Sequence, residues 1–168
     1  MEINQKGKVI VSRLDVTQDT IEELQRNLFL FYTGITRDAS EVLSDQKKNA
    51  EKSNSLEGMD QIKRTGVEIK KALENGDTRR FGEWLNVHWE TKKALSNKMT
   101  NPYIDRWYNL AIENGAIGGK VIGAGGGGFL LFYCDRNQKE FRKAMINSGL
   151  KELEFKFEFD GSKLLFNA

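Results

Sequence analysis

Three residue types are almost missing from this chain of 168 residues, which has one cysteine, one histidine and one proline. A lone cysteine, Cys134, excludes an intrachain disulfide and points to a reducing compartment. With His88 as the only histidine, Cys134 and His88 cannot build a metal cluster, so no metal site is expected. Long apolar runs are also absent, and Met1–Lys6 has no apolar signal core, so a cytoplasmic protein with no membrane partner is expected. Charge of one sign is missing too. Lys and Arg total 26 against 24 Asp and Glu, a net charge of +2 without the clustered basic excess that nucleic acid requires. The length suits one domain, or one domain plus a piece of another.

What the chain does have is glycine in one place. Nearly half of its 16 glycines fall within Gly118–Gly128, which runs directly into apolar Phe129–Tyr133. Each glycine in a regular element costs about 0.5–1 kcal/mol relative to alanine, so the four-residue run Gly125–Gly128 needs a reason. A bound anion is one, because successive backbone N–H groups can converge on it. The alternative is a plain glycine-rich hairpin between strands 119–123 and 128–134, although tight hairpins need only one or two glycines. Gly123, Gly125 and Gly128 fit the dinucleotide pattern GxGxxG, but that pattern must open a helix, and a β-rich stretch follows here. The Walker pattern fails as well, with Val121 after Gly119-Lys120.

Along the chain, residues 8–14 read as a strand, Thr17–Asn27 as a helix capped by Thr17 or Asp19, and Leu28–Tyr32 as a strand covered on both faces. Ala39, Val42, Leu43, Gln46 and Ala50 mark one helical face; Met59, Ile62, Ile69 and Leu73 mark another, ended by Asn75-Gly76. Asp77 caps a helix whose buried side is expected to hold Phe81, Trp84, Leu85, His88 and Leu95. Asn101-Pro102 opens a further helix with the stripe Ile104, Trp107, Tyr108 and Ala111, ended by Asn114-Gly115. After Phe129–Cys134, Asp135 and Gln138 have the spacing of a cap and its third-turn partner, for a helix ended by Gly149. Leu153, Phe155, Phe157 and Phe159 alternate with charges as in a half-buried strand, and Asp160-Gly161 then turns into a return strand over Lys163–Phe166. The sum is an α+β layer structure, a mostly antiparallel sheet with helices on one side and a split βαβ arrangement. Residues 1–35 have too little material to close a core and are expected to belong to a neighbouring domain.

The stretch Gly119–Gly128 resembles the third motif of the GHMP kinases, the superfamily of galactokinase, homoserine kinase, mevalonate kinase and phosphomevalonate kinase. Phe31–Arg37, His88–Ser96 and Ile104–Gly128 are similar to one branch, the bacterial D-glycero-D-manno-heptose 7-phosphate kinases. The resemblance implies a ferredoxin-like C-terminal domain over residues 36–168 and transfer of the γ-phosphoryl of ATP, with Mg²⁺, to a sugar or sugar-phosphate hydroxyl. In the heptose branch this is the anomeric hydroxyl. The family's main ATP loop and candidate catalytic aspartate are not found in this sequence. The chain is therefore expected to be the C-terminal part of such a kinase, to hold no catalytic residue of its own and to have the missing N-terminal domain as its partner. A galactose, fucose or mevalonate type of acceptor, or a non-catalytic anion-binding regulatory module, are the alternatives.

Phosphoryl transfer is mainly positioning and charge stabilisation, a task that a backbone cradle suits. Gly123, Ala124, Gly125, Gly126, Gly127 and Gly128 are expected to brace the nucleotide loop and face the transferring phosphate, with Lys120 as an added charge or simply a solvated strand lysine. Thr33, Gly34 and Arg37 follow the buried strand, where Arg37 can hold a sugar phosphate bidentately or be a surface arginine. Lys92 and Lys93 can attract an anionic substrate or form a solvated face, and His88 reads first as a packed, hydrogen-bonded histidine. Only the resemblance raises His88, Lys92 and Lys93 to substrate-binding candidates. Cys134 is expected to be an inert core thiol.

Overall fold

Short polar side chains start the helices of the computed structural model, which describes residues 2–4, 6–36, 40, 44, 53–96, 98–123 and 125–161. Thr17 accepts from the Thr20 N–H and starts α1 (Gln18–Asn27). Helix α2 (Ser53–Glu74) ends at Gly76, whose φ of +73° turns the chain so that the Asp77 N–H reaches the Ala72 carbonyl. Asp77 then accepts from the Arg80 N–H to begin α3 (Thr78–Leu95), and Asn101 accepts from Tyr103 and Ile104 to begin α4 (Pro102–Glu113). Helix α5 (Gln138–Asn147) is the exception. Its cap, Asn137, has φ 52° and makes no capping bond, while Asp135, expected as the cap, pairs at 2.7 Å with Arg79.

The strands are β1 (Glu2–Ile3), β2 (Val9–Ile10), β3 (Leu28–Tyr32), β4 (Gly118–Ile122), β5 (Phe129–Tyr133) and β6 (Lys151–Leu153). β1 and β2 form a small antiparallel hairpin, and the others form an antiparallel sheet in the order β4-β5-β3-β6. Among the described residues, α2, α3 and α4 lie between β3 and β4, and α5 lies between β5 and β6, which gives the split βαβ connectivity of a ferredoxin-like sheet. β3 is thus an inner strand, pairing Leu28 with Tyr133 on one side and Leu30 with Leu153 on the other.

Part of the stretch 1–35 assigned above to a neighbouring domain, strand β3, thus pairs within this sheet. An apolar run covered on both faces reads the same in any sheet, and its partners here lie about a hundred residues downstream. Helix α1 is part of the same body, because Tyr133 Oη accepts from Asn27 Nδ2 at 3.1 Å and is bonded to Thr78 Oγ1, which donates to Glu23.

Strand parity divides the core. Phe29, Phe31, Leu130 and Phe132 join Trp89, Ile104, Tyr108 and Phe141 in one cluster, while Leu28, Leu131 and Tyr133 join Leu24, Leu73, Phe81 and Leu85 in a second. Apolar groups therefore cover both faces, not one. On α3, Leu85 is buried and Phe81 packs on the second cluster as expected, but Trp89 is buried too, and Trp84 and His88 are half-buried. The buried face also includes Gly82, which offers no apolar signal but lets the Tyr133 ring lie against the helix: a Cβ there would stand 2.6 Å from Tyr133 Cδ1.

The strand expected over 153–160 is not found beyond Leu153: β6 covers Lys151–Leu153 and pairs only with Leu30–Tyr32 of β3. The chain follows α1 instead, with the Phe157 N–H donating to Gln25. The expected helix over residues 39–50 and the return strand over 163–166 lie outside the described residues. No helix among the described residues is long and apolar enough to cross a membrane.

Candidate functional site

The glycine loop joins β4 to β5 beyond their last pair, Ile122 with Phe129. Gly123, Gly125, Gly126 and Gly128 have φ of +100°, +108°, +76° and +83°, which L-residues with a Cβ hold only at a cost of about 1–3 kcal/mol each. The loop is tied down on both flanks. On one flank the Gly126 N–H donates to the Met99 carbonyl at 2.9 Å, and Asn101 Nδ2 donates to the Gly126 carbonyl at 3.0 Å. On the other, the Thr33 N–H and Oγ1 both donate to the Gly128 carbonyl at 2.9 Å, and the Gly128 N–H donates to the Ile35 carbonyl at 2.8 Å.

These contacts give two of the glycines a reason other than a ligand. A Cβ at Gly127 would stand 2.6 Å from the Ile35 carbonyl oxygen, and one at Gly125 would stand 2.9 Å from Met99 Sδ. The amides of Gly126 and Gly128 are committed to protein carbonyls, so the run is not an unbroken row of donors for an anion. Gly123 differs, with nothing within 4 Å of its Cβ position. Ala124 and Arg37 lie outside the described residues, and Gly34, at φ +71°, turns the chain between Thr33 and Ile35.

A second group forms where α3 lies on β4. Tyr108 of α4 locks the two together: its hydroxyl donates to Asn86 Oδ1 at 2.7 Å and accepts from the Gly119 N–H at 3.2 Å. Burial raises the Tyr108 phenol pKa, so the hydroxyl stays protonated. His88 and Lys92 stand on adjacent turns of α3, with Lys120 on β4. Burial, then Lys120 and Lys92, push the His88 imidazole down to about 4. Burial also lowers Lys92 and, with the charge of Lys92, Lys120. His88 is therefore neutral near pH 7, and its Nδ1 is buried without a partner among the described residues.

Lys93 does not join this group. It pairs with Glu90 at 2.8 Å and lies over the rings of Trp89 and Tyr108 at 5.9 and 5.7 Å. The structure thus sorts the expected residues: Thr33 and Gly34 go with the glycine loop, Lys120 goes with His88 and Lys92, and Lys93 stands apart. Sequence reasoning missed Ile35, Met99, Asn86 and the second function of Asn101, whose Oδ1 caps α4 while Nδ2 holds the loop. Asn101-Pro102 signalled only the cap. No group of three potential metal ligands from His, Cys, Asp and Glu is found among the described residues.

Residues 69–151, which contain both the basic group and the glycine loop, match the family model of the GHMP kinase C-terminal domain. The chain carries a GHMP kinase C-terminal domain. It is 34% identical over 97% of its length to D-glycero-alpha-D-manno-heptose 7-phosphate kinase of Campylobacter jejuni, of which it covers 48%. Among solved structures, a D-glycero-D-manno-heptose 1-phosphate kinase of Bacteroides thetaiotaomicron is 25% identical with a TM-score of 0.62, covering 91% of this chain and 40% of that one. Mevalonate kinase of Leishmania major, 20% identical with a TM-score of 0.68 over 86% of this chain and 42% of its own, shares the fold. The chain thus spans about half the length of the heptose kinase. The match to the GHMP model begins within α2, so β3, an inner strand of this domain's sheet, lies outside it.

Proposed function

We propose that this GHMP domain serves, within its complete protein, an ATP-dependent sugar kinase whose acceptor is a sugar phosphate, D-glycero-D-manno-heptose 7-phosphate phosphorylated at C1. The observation that carries the reading is the loop Gly123–Gly128, bent through four positive-φ glycines and tied from both flanks by Met99, Asn101, Thr33 and Ile35. A loop held this way positions phosphate without reorganising at the moment of reaction. In the transfer, the acceptor hydroxyl oxygen bonds to the γ-phosphorus as the bond to the β–γ bridging oxygen breaks, ADP leaves, and the hydroxyl proton passes to a base outside this chain. When bound with ATP, Mg²⁺ neutralises charge on the phosphates.

The N-terminal kinase domain is the proposed partner of this chain. Apolar residues of the β1–β2 hairpin and the segment after it, such as Ile3 at 64% and Val11 at 79% exposure, are surface that such a domain would cover. The test is ADP formation by the complete protein with ATP and Mg²⁺, against a panel of heptose 7-phosphate, galactose, fucose and mevalonate, with product phosphate located by ³¹P NMR. An acid-labile anomeric phosphate from the heptose alone supports the reading. Turnover only with an unphosphorylated acceptor moves the protein to another GHMP kinase type, and no turnover with any acceptor leaves a regulatory module.

A further inference from the structure

We infer that His88, Lys92 and Lys120 hold the phosphate that the acceptor already carries and so select phosphorylated acceptors over plain sugars; the inference rests on the sugar-kinase reading. Geometry brings the three together. Gly118 and Lys120 share one face of β4, and a Cβ at Gly118 would overlap the Gly82 carbonyl and stand 2.8 Å from the Asn86 nitrogen, so this face lies against α3. Two strand residues advance about 6–7 Å, as do about four helical residues, which sets Lys120 beside the turn of His88 and Lys92. The Tyr108 bonds to Asn86 and Gly119 fix that placement.

Charge supplies the second argument. Among the described residues no carboxylate pairs with Lys92 or Lys120, and Glu90, on the same helix, is taken by Lys93. Two half-buried ammonium groups repel each other and have each lost part of their hydration. A dianion between them removes the repulsion and restores hydrogen bonds. The unpartnered Nδ1 of His88 adds a further polar atom to the same place.

Spacing favours the acceptor over the nucleotide as the source of that dianion. Lys120 precedes Gly123, the first residue after β4, by three residues, about 10 Å of extended chain. That span is comparable to the one between the reacting hydroxyl and the terminal phosphate of a seven-carbon sugar phosphate. The β-phosphate of a nucleotide, by contrast, is one bridging oxygen away from the group transferred.

His88, as the sole histidine, gives one resolvable imidazole signal in this chain. Titration with inorganic phosphate near pH 7, where the dianion is populated, should move it saturably, since an anion beside the ring changes its shielding even while the ring stays neutral. Lys92→Met and Lys120→Met should each abolish the response without lowering the melting temperature, because each removes an uncompensated charge. In the complete enzyme either variant should raise KM for heptose 7-phosphate about tenfold or more while leaving KM for ATP unchanged. An imidazole signal indifferent to phosphate, or a rise confined to KM for ATP, overturns the inference even if the enzyme is active. A phosphate response in a protein that phosphorylates no sugar would sink the kinase reading and, with it, the assignment of this dianion to an acceptor.

Discussion

Two glycines let α3 lie on β4, and a third in α2 has no such duty. A Cβ at Gly118 would overlap the Gly82 carbonyl, and one at Gly82 would press on Tyr133, whereas Gly66 has nothing within 4 Å. Gly118→Ala should therefore cost about 1–3 kcal/mol through forced displacement, while Gly66→Ala, in an exposed helix interior, should stabilise by about 0.5–1 kcal/mol. Urea unfolding of both variants checks the difference in sign. His88 offers a pH test. Its folded value of about 4 lies below the ordinary 6.5, so above pH 6.5 both states are neutral and its stabilising contribution is complete. Between 6.5 and 4 the unfolded chain takes up the proton first, and that contribution is lost as pH falls. The stability difference between the protein and His88→Gln should change across this window and stay constant on either side.

At the scale of elements, Asn101 links a helix to the loop. Asn101→Ala should lose the α4 cap, about 1 kcal/mol, together with the tether to Gly126. Asn101→Asp keeps an oxygen for the cap but has no amide to donate, and it puts a negative charge beside the loop. It should leave the unfolding midpoint nearly unchanged, speed hydrogen exchange at the Gly126 amide, and lower kcat in the complete enzyme. Slow exchange at Gly126 in both variants would mean that the Gly126–Met99 bond alone holds the loop. In the complete enzyme, Gly126→Val should lower turnover far more than stability. Equal losses in both would make the loop structural only.

For the whole molecule, the exposed apolar residues make a prediction about context. Ile3, Val9, Ile10 and Val11 lie on or beside a two-stranded hairpin outside the main sheet, and all are exposed. The isolated chain should bind a hydrophobic dye and sediment above monomer mass at high concentration, and Ile10→Lys should reduce both. The complete protein should bind less dye than the isolated chain. Equal dye binding would mean that the proposed N-terminal domain does not cover this surface.

Local signals were legible because their physics is local. A cap reaches two or three residues, so Thr17, Asp77 and Asn101 marked helix starts, as Gly76, Gly115 and Gly149 marked ends. The β4–β5 hairpin and its glycine loop were equally plain, since both strands and their connection lie within a single stretch. Other features depended on partners far along the chain. Tertiary packing alone made Leu28–Tyr32 an inner strand, ended β6 at Leu153, and drew Asp135 from its capping position to Arg79. It also buried Trp89 of α3 and set Lys92 near Lys120, whereas the Lys93–Glu90 pair is a local contact one turn apart on the same helix. The sequence by itself determined which elements form and where the glycines crowd, because capping and periodicity act between near neighbours. Which lysines meet, and around what, was decided only by the tertiary structure, because the face a helix buries depends on the strands and helices that pack against it from far along the chain.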